Sequence, residues 1–153
     1  MKSYTVSLFG HRKINDLHRI EEKLPCIISE ILSEYDSVDF LIGRQGEFDE
    51  YAASIIKRLL HGEGEDKGWL TLVLPYEVAD IEYYKDYYDD IIIPEIAMFA
   101  HPKRTATLKN KYMIDASDIV IFYVNRKGGA YRALQYAMSQ GKNIINIADL
   151  KMQ

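Results

Sequence analysis

The stretch Ile119-Val120-Ile121-Phe122-Tyr123-Val124, continued by Asn125-Arg126-Lys127-Gly128-Gly129-Ala130, decides how the rest of the chain is read. Six consecutive apolar residues, β-branched and aromatic, suit a strand covered on both faces. Two glycines then allow a sharp turn, and a helical pattern runs from about 129 to 140 until Gly141 supplies a C-terminal cap. Another apolar run, Asn143 to Ile147, follows at once. Strand, glycine turn, helix and strand form the repeating unit of a parallel sheet.

The alternation extends to the start of the chain. Tyr4 to Phe9, Val38 to Ile42 and Trp69 to Leu74 read as three further buried strands. A helix is expected over about 16–35, capped by Asp16, with Ile20, Leu24, Ile28 and Ile31 on its apolar face. Others are expected over about 48–61 and 105–116. The expectation is therefore one α/β domain over residues 1–153, Rossmann-like, with a doubly wound parallel sheet of five strands in the order 3-2-1-4-5 and helices on both faces. The segment from Tyr76 to Pro102 fits this scheme least. Its tyrosines, Tyr76, Tyr83, Tyr84, Tyr87 and Tyr88, stand among acidic residues, and Ile91-Ile92-Ile93 precedes Pro94. It reads as a connecting helix and loop whose rings pack on the sheet, with a lid or base-stacking wall as the alternative.

Composition narrows the function. A content of 48% hydrophobic residues fills one core. The apolar runs are far short of a membrane span, and Met1-Lys2-Ser3-Tyr4 enters a strand without a signal-peptide pattern, so a cytoplasmic protein with no membrane partner is expected. The single cysteine, Cys26, supports neither a disulfide nor a thiol zinc site and is placed on the core face of the first helix. His18, His61 and His101 lack ligand spacing with one another or with Cys26; no metal and no cofactor are expected. A net charge of −4 disfavours nucleic acid as a partner, because that binding needs clustered Lys and Arg.

In open parallel sheets, ligands bind beyond the carboxyl ends of the strands. Gly10-His11-Arg12-Lys13 follows the first strand, Gly43-Arg44-Gln45-Gly46-Glu47-Phe48-Asp49 the second, and Asn125 to Ala130 the fourth. Three strand ends thus combine glycine with positive charge, two of them opening a helix whose N-terminus favours anions. Phosphate is the expected guest, held by Gly10, His11, Arg12, Gly43, Arg44, Gly46, Asp49, Arg126, Gly128, Gly129 and Ala130. Neither turn matches Walker A or GxGxxG. His11 is the proton-transfer candidate, because its ordinary pKa lies near neutrality. Asp49 is the candidate carboxylate, for catalysis or for ribose hydroxyls, and Glu47 is read as offsetting the helix dipole.

Leu8-Phe9-Gly10-His11-Arg12, the Gly43-x-x-Gly46-x-Phe48-Asp49-x-x-Ala52 turn, and Met113 to Tyr123 followed by Gly128-Gly129-Ala130-Tyr131 and Tyr136-Ala137 together resemble the SLOG superfamily. The resemblance spans nearly the whole chain. It implies a Rossmann-like fold and kinship with phosphoribohydrolases of the lysine-decarboxylase-like group, with DprA-type DNA-processing proteins, and most closely with bacterial members thought to bind nucleotide-derived ligands. The phosphoribohydrolase pattern Pro-Gly-Gly-x-Gly-Thr-x-x-Glu falls here on Lys127 to Gln135, so Gln135 stands where the catalytic Glu belongs. A glutamine cannot act as a general base near neutral pH. Nucleoside 2-deoxyribosyltransferases are similar in the same region, and Ala133 stands where their nucleophilic Glu belongs. The expected function is binding of a small phosphorylated, nucleotide-derived ligand by a sensor or carrier. A nucleotide-processing enzyme is the alternative and a DprA-like nucleic-acid partner a third reading. A homo-oligomer is expected, joined through the first helix or the tyrosine-rich segment 76–88.

Overall fold

A computed structural model of the chain describes residues 3–62 and 66–152; Met1, Lys2 and Gln153, at the ends of the expected domain, lie outside the described residues. The first unit is β1 (Ser3–Gly10), α1 (Leu17–Glu34), β2 (Ser37–Ile42), α2 (Glu47–Leu60) and β3 (Gly68–Val73). The connecting segment holds α3 (Ile81–Tyr87), β4 (Asp90–Ile92) and α4 (Glu95–Met98). The last is α5 (Thr105–Asp115), β5 (Ile119–Tyr123), α6 (Gly129–Ser139) and β6 (Asn143–Asn146), closed by a 3-10 turn, Ile147–Asp149.

Among the described residues the sheet has six parallel strands in the order β4-β3-β2-β1-β5-β6. This corrects the expected count of five and the order 3-2-1-4-5. The five anticipated strands keep their relative places, and β4 is added beside β3, pairing Thr71 with Asp90 and Val73 with Ile92. Its three residues end at Ile92, two positions before Pro94, which has no backbone donor to extend the pairing. So short a strand has no readable period, so the isoleucine run carries no strand signal of its own.

Burial follows the pattern of each element. In α1, Ile20, Leu24, Ile28 and Ile31 pack with Phe40 of β2 and Ile56 of α2 on one face of the sheet. Met113 and Ile114 of α5 meet Phe122, Ala133 and Ala137 on the other. Cys26, expected in the core, is exposed instead. It lies two residues from both Leu24 and Ile28, and at about 100° per residue that turns it to the opposite side of the helix. Asp16 caps α1 as expected, its Oδ1 accepting the Arg19 N–H at 3.2 Å. Gly141 (φ +68°) ends α6: its N–H donates to the Met138 carbonyl and the Lys142 N–H to that of Ala137, the paired bonds of a Schellman turn.

The sheet winds outward from β1 in both directions, through β2 and through β5. Leu8 of β1 pairs with Ile42 on one side and Ile121 on the other, so the ends of β1, β2 and β5 lie side by side. A crevice opens where the winding reverses. The tyrosine-rich segment mostly packs: Tyr84 is buried on Leu72 and Leu74, and Tyr88 packs beside it. Among the described residues no helix is long and apolar enough to cross a membrane.

Candidate functional site

A cavity of about 620 Å³ occupies that crevice, within the range of small-molecule sites. The loops around it are tied together by backbone bonds. After β1, the carbonyls of His11 and Arg12 accept the N–H groups of Phe48 and Glu47 at 3.3 and 2.8 Å. The Glu47 carboxylate accepts the Ile14 N–H at 2.8 Å, so Glu47 locks the first loop onto α2. Phe48, fully buried, lies against Gly10, where a Cβ would stand 2.1 Å from its ring. Burial of such a ring contributes about 2 kcal/mol. The first donors of α2 are consequently taken by protein carbonyls and are not offered to a ligand.

The start of α6 differs. Gly128 holds φ +152°, which L side chains rarely adopt, and no side chain caps the helix. Among the described residues, nothing accepts the N–H groups of Gly129, Ala130 and Tyr131, and Gly128 to Ala130 line the cavity. A Cβ added at Gly129 would meet nothing within 4 Å. An open helix N-terminus of this kind suits an anion.

His11 is 5% exposed, and its Nε2 accepts the Asn125 N–H at 3.1 Å, joining the β1 loop to the β5 loop. Burial pushes its pKa down, and the nearby Arg126 pushes the same way. It is therefore a neutral, positioned ring at pH 7. Arg126 donates to the Lys13 carbonyl at 2.6 Å and stays at the rim. Asp49 is half-buried; its Oδ2 accepts the Gln45 N–H at 2.8 Å. Burial raises its pKa, opposed by that bond and by Lys109.

Nine of the expected binding residues line the cavity: Gly10, His11, Arg12, Gly43, Asp49, Arg126, Gly128, Gly129 and Ala130. Arg44 and Gly46 do not. The Arg44 guanidinium lies 4.4 Å from the Tyr84 ring centre, a cation–π contact outside the cavity. Gly46 lies against the Arg12 backbone, where a Cβ would come within 2.3 Å of Cα. Gln135 is exposed and outside the lining, whereas Ala133 is part of it.

Reading only the strand ends missed α5, which contributes Lys103 just before it and Lys109, Asn110 and Lys111 within it. Lys109 is the most consequential of these. It is 2% exposed, and among the described residues it makes no hydrogen bond or ion pair. Burial pushes its pKa down to about 8, partly opposed by Asp49. A side chain at Gly43 would stand 2.8 Å from Nζ and 3.4 Å from Asp49 Oδ2. The glycine thus leaves room for the ammonium. Its sequence signal was present: Thr105, Lys109 and Met113 follow one another at four-residue spacing, which puts a lysine in a buried helical stripe. The helix is anchored by the buried hydroxyls of Ser7 and Ser117, 2.6 Å apart and both within reach of the Met113 carbonyl, so that one serine donates to the other and the second donates to that carbonyl. The Ser117-Asp118 pair is architectural, since Asp118 also accepts the Thr5 N–H at 2.8 Å.

Neither a scan of family models nor a search of curated proteins finds a match to this chain. Among solved structures the chain is similar to DNA processing protein A from Helicobacter pylori, studied for its single-stranded DNA binding mode. The two are 14% identical with a TM-score of 0.60, over 94% of this chain and 64% of that one, so the chain spans less than two thirds of its neighbour. This likeness shows a shared Rossmann-like fold. It also corrects the expectation that nucleic acid is a disfavoured partner, because a protein of this fold binds single-stranded DNA. The inference from net charge failed for a physical reason: a potential is set by charges within about a Debye length of the site, not by the sum over the chain.

Proposed function

We propose that the cavity binds the phosphate of a nucleotide-derived ligand, and that the protein is a sensor or carrier of SLOG type. One observation carries this reading. Among the described residues, eight lysines and arginines line the cavity with a single carboxylate, Asp49, in a chain with 19 basic and 23 acidic residues. Such a concentration of one sign focuses an anion-attracting field, and the open N-terminus of α6 adds donors to it. Holding is favoured over turnover because Gln135 and Ala133 replace the carboxylates that the related enzymes use.

Binding by phosphate should raise the melting temperature, since a ligand that binds only the native state stabilises it by mass action. Nucleoside 5′-monophosphates are expected to raise it and the parent nucleosides to do much less. Equal shifts from adenosine and its monophosphate would refute the phosphate role. The fold likeness favours a second reading, in which the basic rim tracks single-stranded DNA. An oligothymidylate that binds far more tightly than thymidine monophosphate, with a steep salt dependence, would favour that reading. Self-association belongs to the proposal as well, with exposed Tyr76 and Tyr83 as the apolar surface that a second copy would cover.

A further inference from the structure

Building on the anion-binding reading above, we infer that the inner end of the cavity is a subsite for a terminal phosphate monoester, with the Lys109 ammonium as its anchor. The cations are graded by depth. Arg12, Lys13, Arg126 and Lys127 are exposed at the rim, whereas Lys109 is 2% exposed. The side chain is buried but lines the cavity, and none of the ammonium's three donors has a partner among the described residues. Unpartnered buried charges are rare because losing hydration is costly, so the group is expected to meet its counter-ion in the cavity.

The nearest carboxylate does not meet that need. Asp49 lies beyond ion-pair range, and its Oδ2 is engaged by the Gln45 N–H. What fits is an anion with several terminal oxygens and more than one charge. A phosphate monoester has three such oxygens and a charge of about −1.5 to −2 at pH 7. A diester carries one charge and extends on both sides. Phe9, Gly43 and Lys109 are buried there, and a Cβ at Gly43 would already stand 2.8 Å from the ammonium, so space beside the anchor is tight and favours the smaller, terminal phosphate. The inner end therefore accepts a chain terminus, whether of a free mononucleotide or of a 5′-phosphorylated strand.

The test is calorimetric titration of the whole chain with AMP, GMP, CMP and UMP and with their 5′-methyl phosphodiesters. The monoesters are expected to bind at least ten-fold more tightly, and Lys109→Met is expected to erase that preference. A 5′-phosphorylated oligothymidylate compared with its 5′-hydroxyl form separates a strand end from a free nucleotide as the source. Because the monoester and diester comparison is made on the unaltered protein, it does not depend on the variant folding. Equal affinity for monoester and diester, or a preference that survives Lys109→Met, overturns the subsite while leaving anion binding intact. If no phosphate compound outcompetes its nucleoside, the subsite and the anion-binding reading fall together.

Discussion

Replacing Lys109 by methionine should make the protein more stable. The side chain is 2% exposed, its ammonium makes no hydrogen bond or ion pair among the described residues, and burial lowers its pKa from 10.5 to about 8. At about 1.4 kcal/mol per pH unit, that fall corresponds to roughly 3 kcal/mol of native-state destabilisation near neutral pH. The sign follows from proton counting. Between pH 8 and 10.5 the unfolded chain holds the lysine proton and the native state does not, so this group's contribution rises with pH across that window. Below about pH 8 both states are protonated and the cost is constant. Methionine has a similar length and no charge, and it fills the same space. An opposing effect comes from Asp49, which loses its nearby cation. That loss is the smaller one, because Asp49 keeps the Gln45 N–H and makes no ion pair with the ammonium. Urea unfolding of both proteins from pH 7 to 10 should show the variant ahead by about 2 kcal/mol at pH 7, with the gap closing as pH rises. The difference between the two curves cancels the tyrosines that titrate above pH 10. A variant less stable than the parent at pH 7 would refute the account and make Lys109 a structural cation. A gain in stability together with lost anion binding is the trade-off expected where a strained group serves function.

Gly129→Val should leave the fold intact, since the added side chain meets no protein atom. It should still weaken nucleotide binding by about 1.5–3 kcal/mol, by crowding the anion off the α6 donors; an unchanged affinity in titration would place the site elsewhere. Gly128→Ala acts through the backbone instead: at φ +152° it should cost about 1–2 kcal/mol of stability in urea unfolding. Arg44→Ala should leave nucleotide affinity unchanged and cost about 0.5–1 kcal/mol through the lost contact with Tyr84. A ten-fold loss of affinity would return Arg44 to the site. Light scattering at high concentration checks self-association, and a monomer throughout would remove it from the proposal.

Much of the fold was legible because local pattern and global role coincide. Continuous apolar runs mark the strands of a two-sided sheet, and Asp16 and Gly141 mark helix ends by chemistry that acts within a few residues. The strand ends around Gly10, Gly43 and Gly128 were expected along one edge for the same reason, since in a parallel α/β sheet the connectivity itself puts them on one side, and all three line the cavity there. The rest depends on relations between distant residues. β4 exists because β3 offers Asp90–Ile92 an unpaired edge, which nothing within those three residues announces. Arg44 and Arg126 look alike in sequence, yet one lies over Tyr84 and the other faces the cavity, a choice made by which neighbours fold beside each. Net charge misled for a related cause, since folding gathered eight cations from three stretches of the chain around one carboxylate. Lys109 depended on tertiary structure most of all. A lysine at a buried spacing is visible in the chain, but only the approach of α5 to the end of β2 sets its ammonium against Gly43 and Asp49, and it is that burial which gives the charge its reach toward an anion.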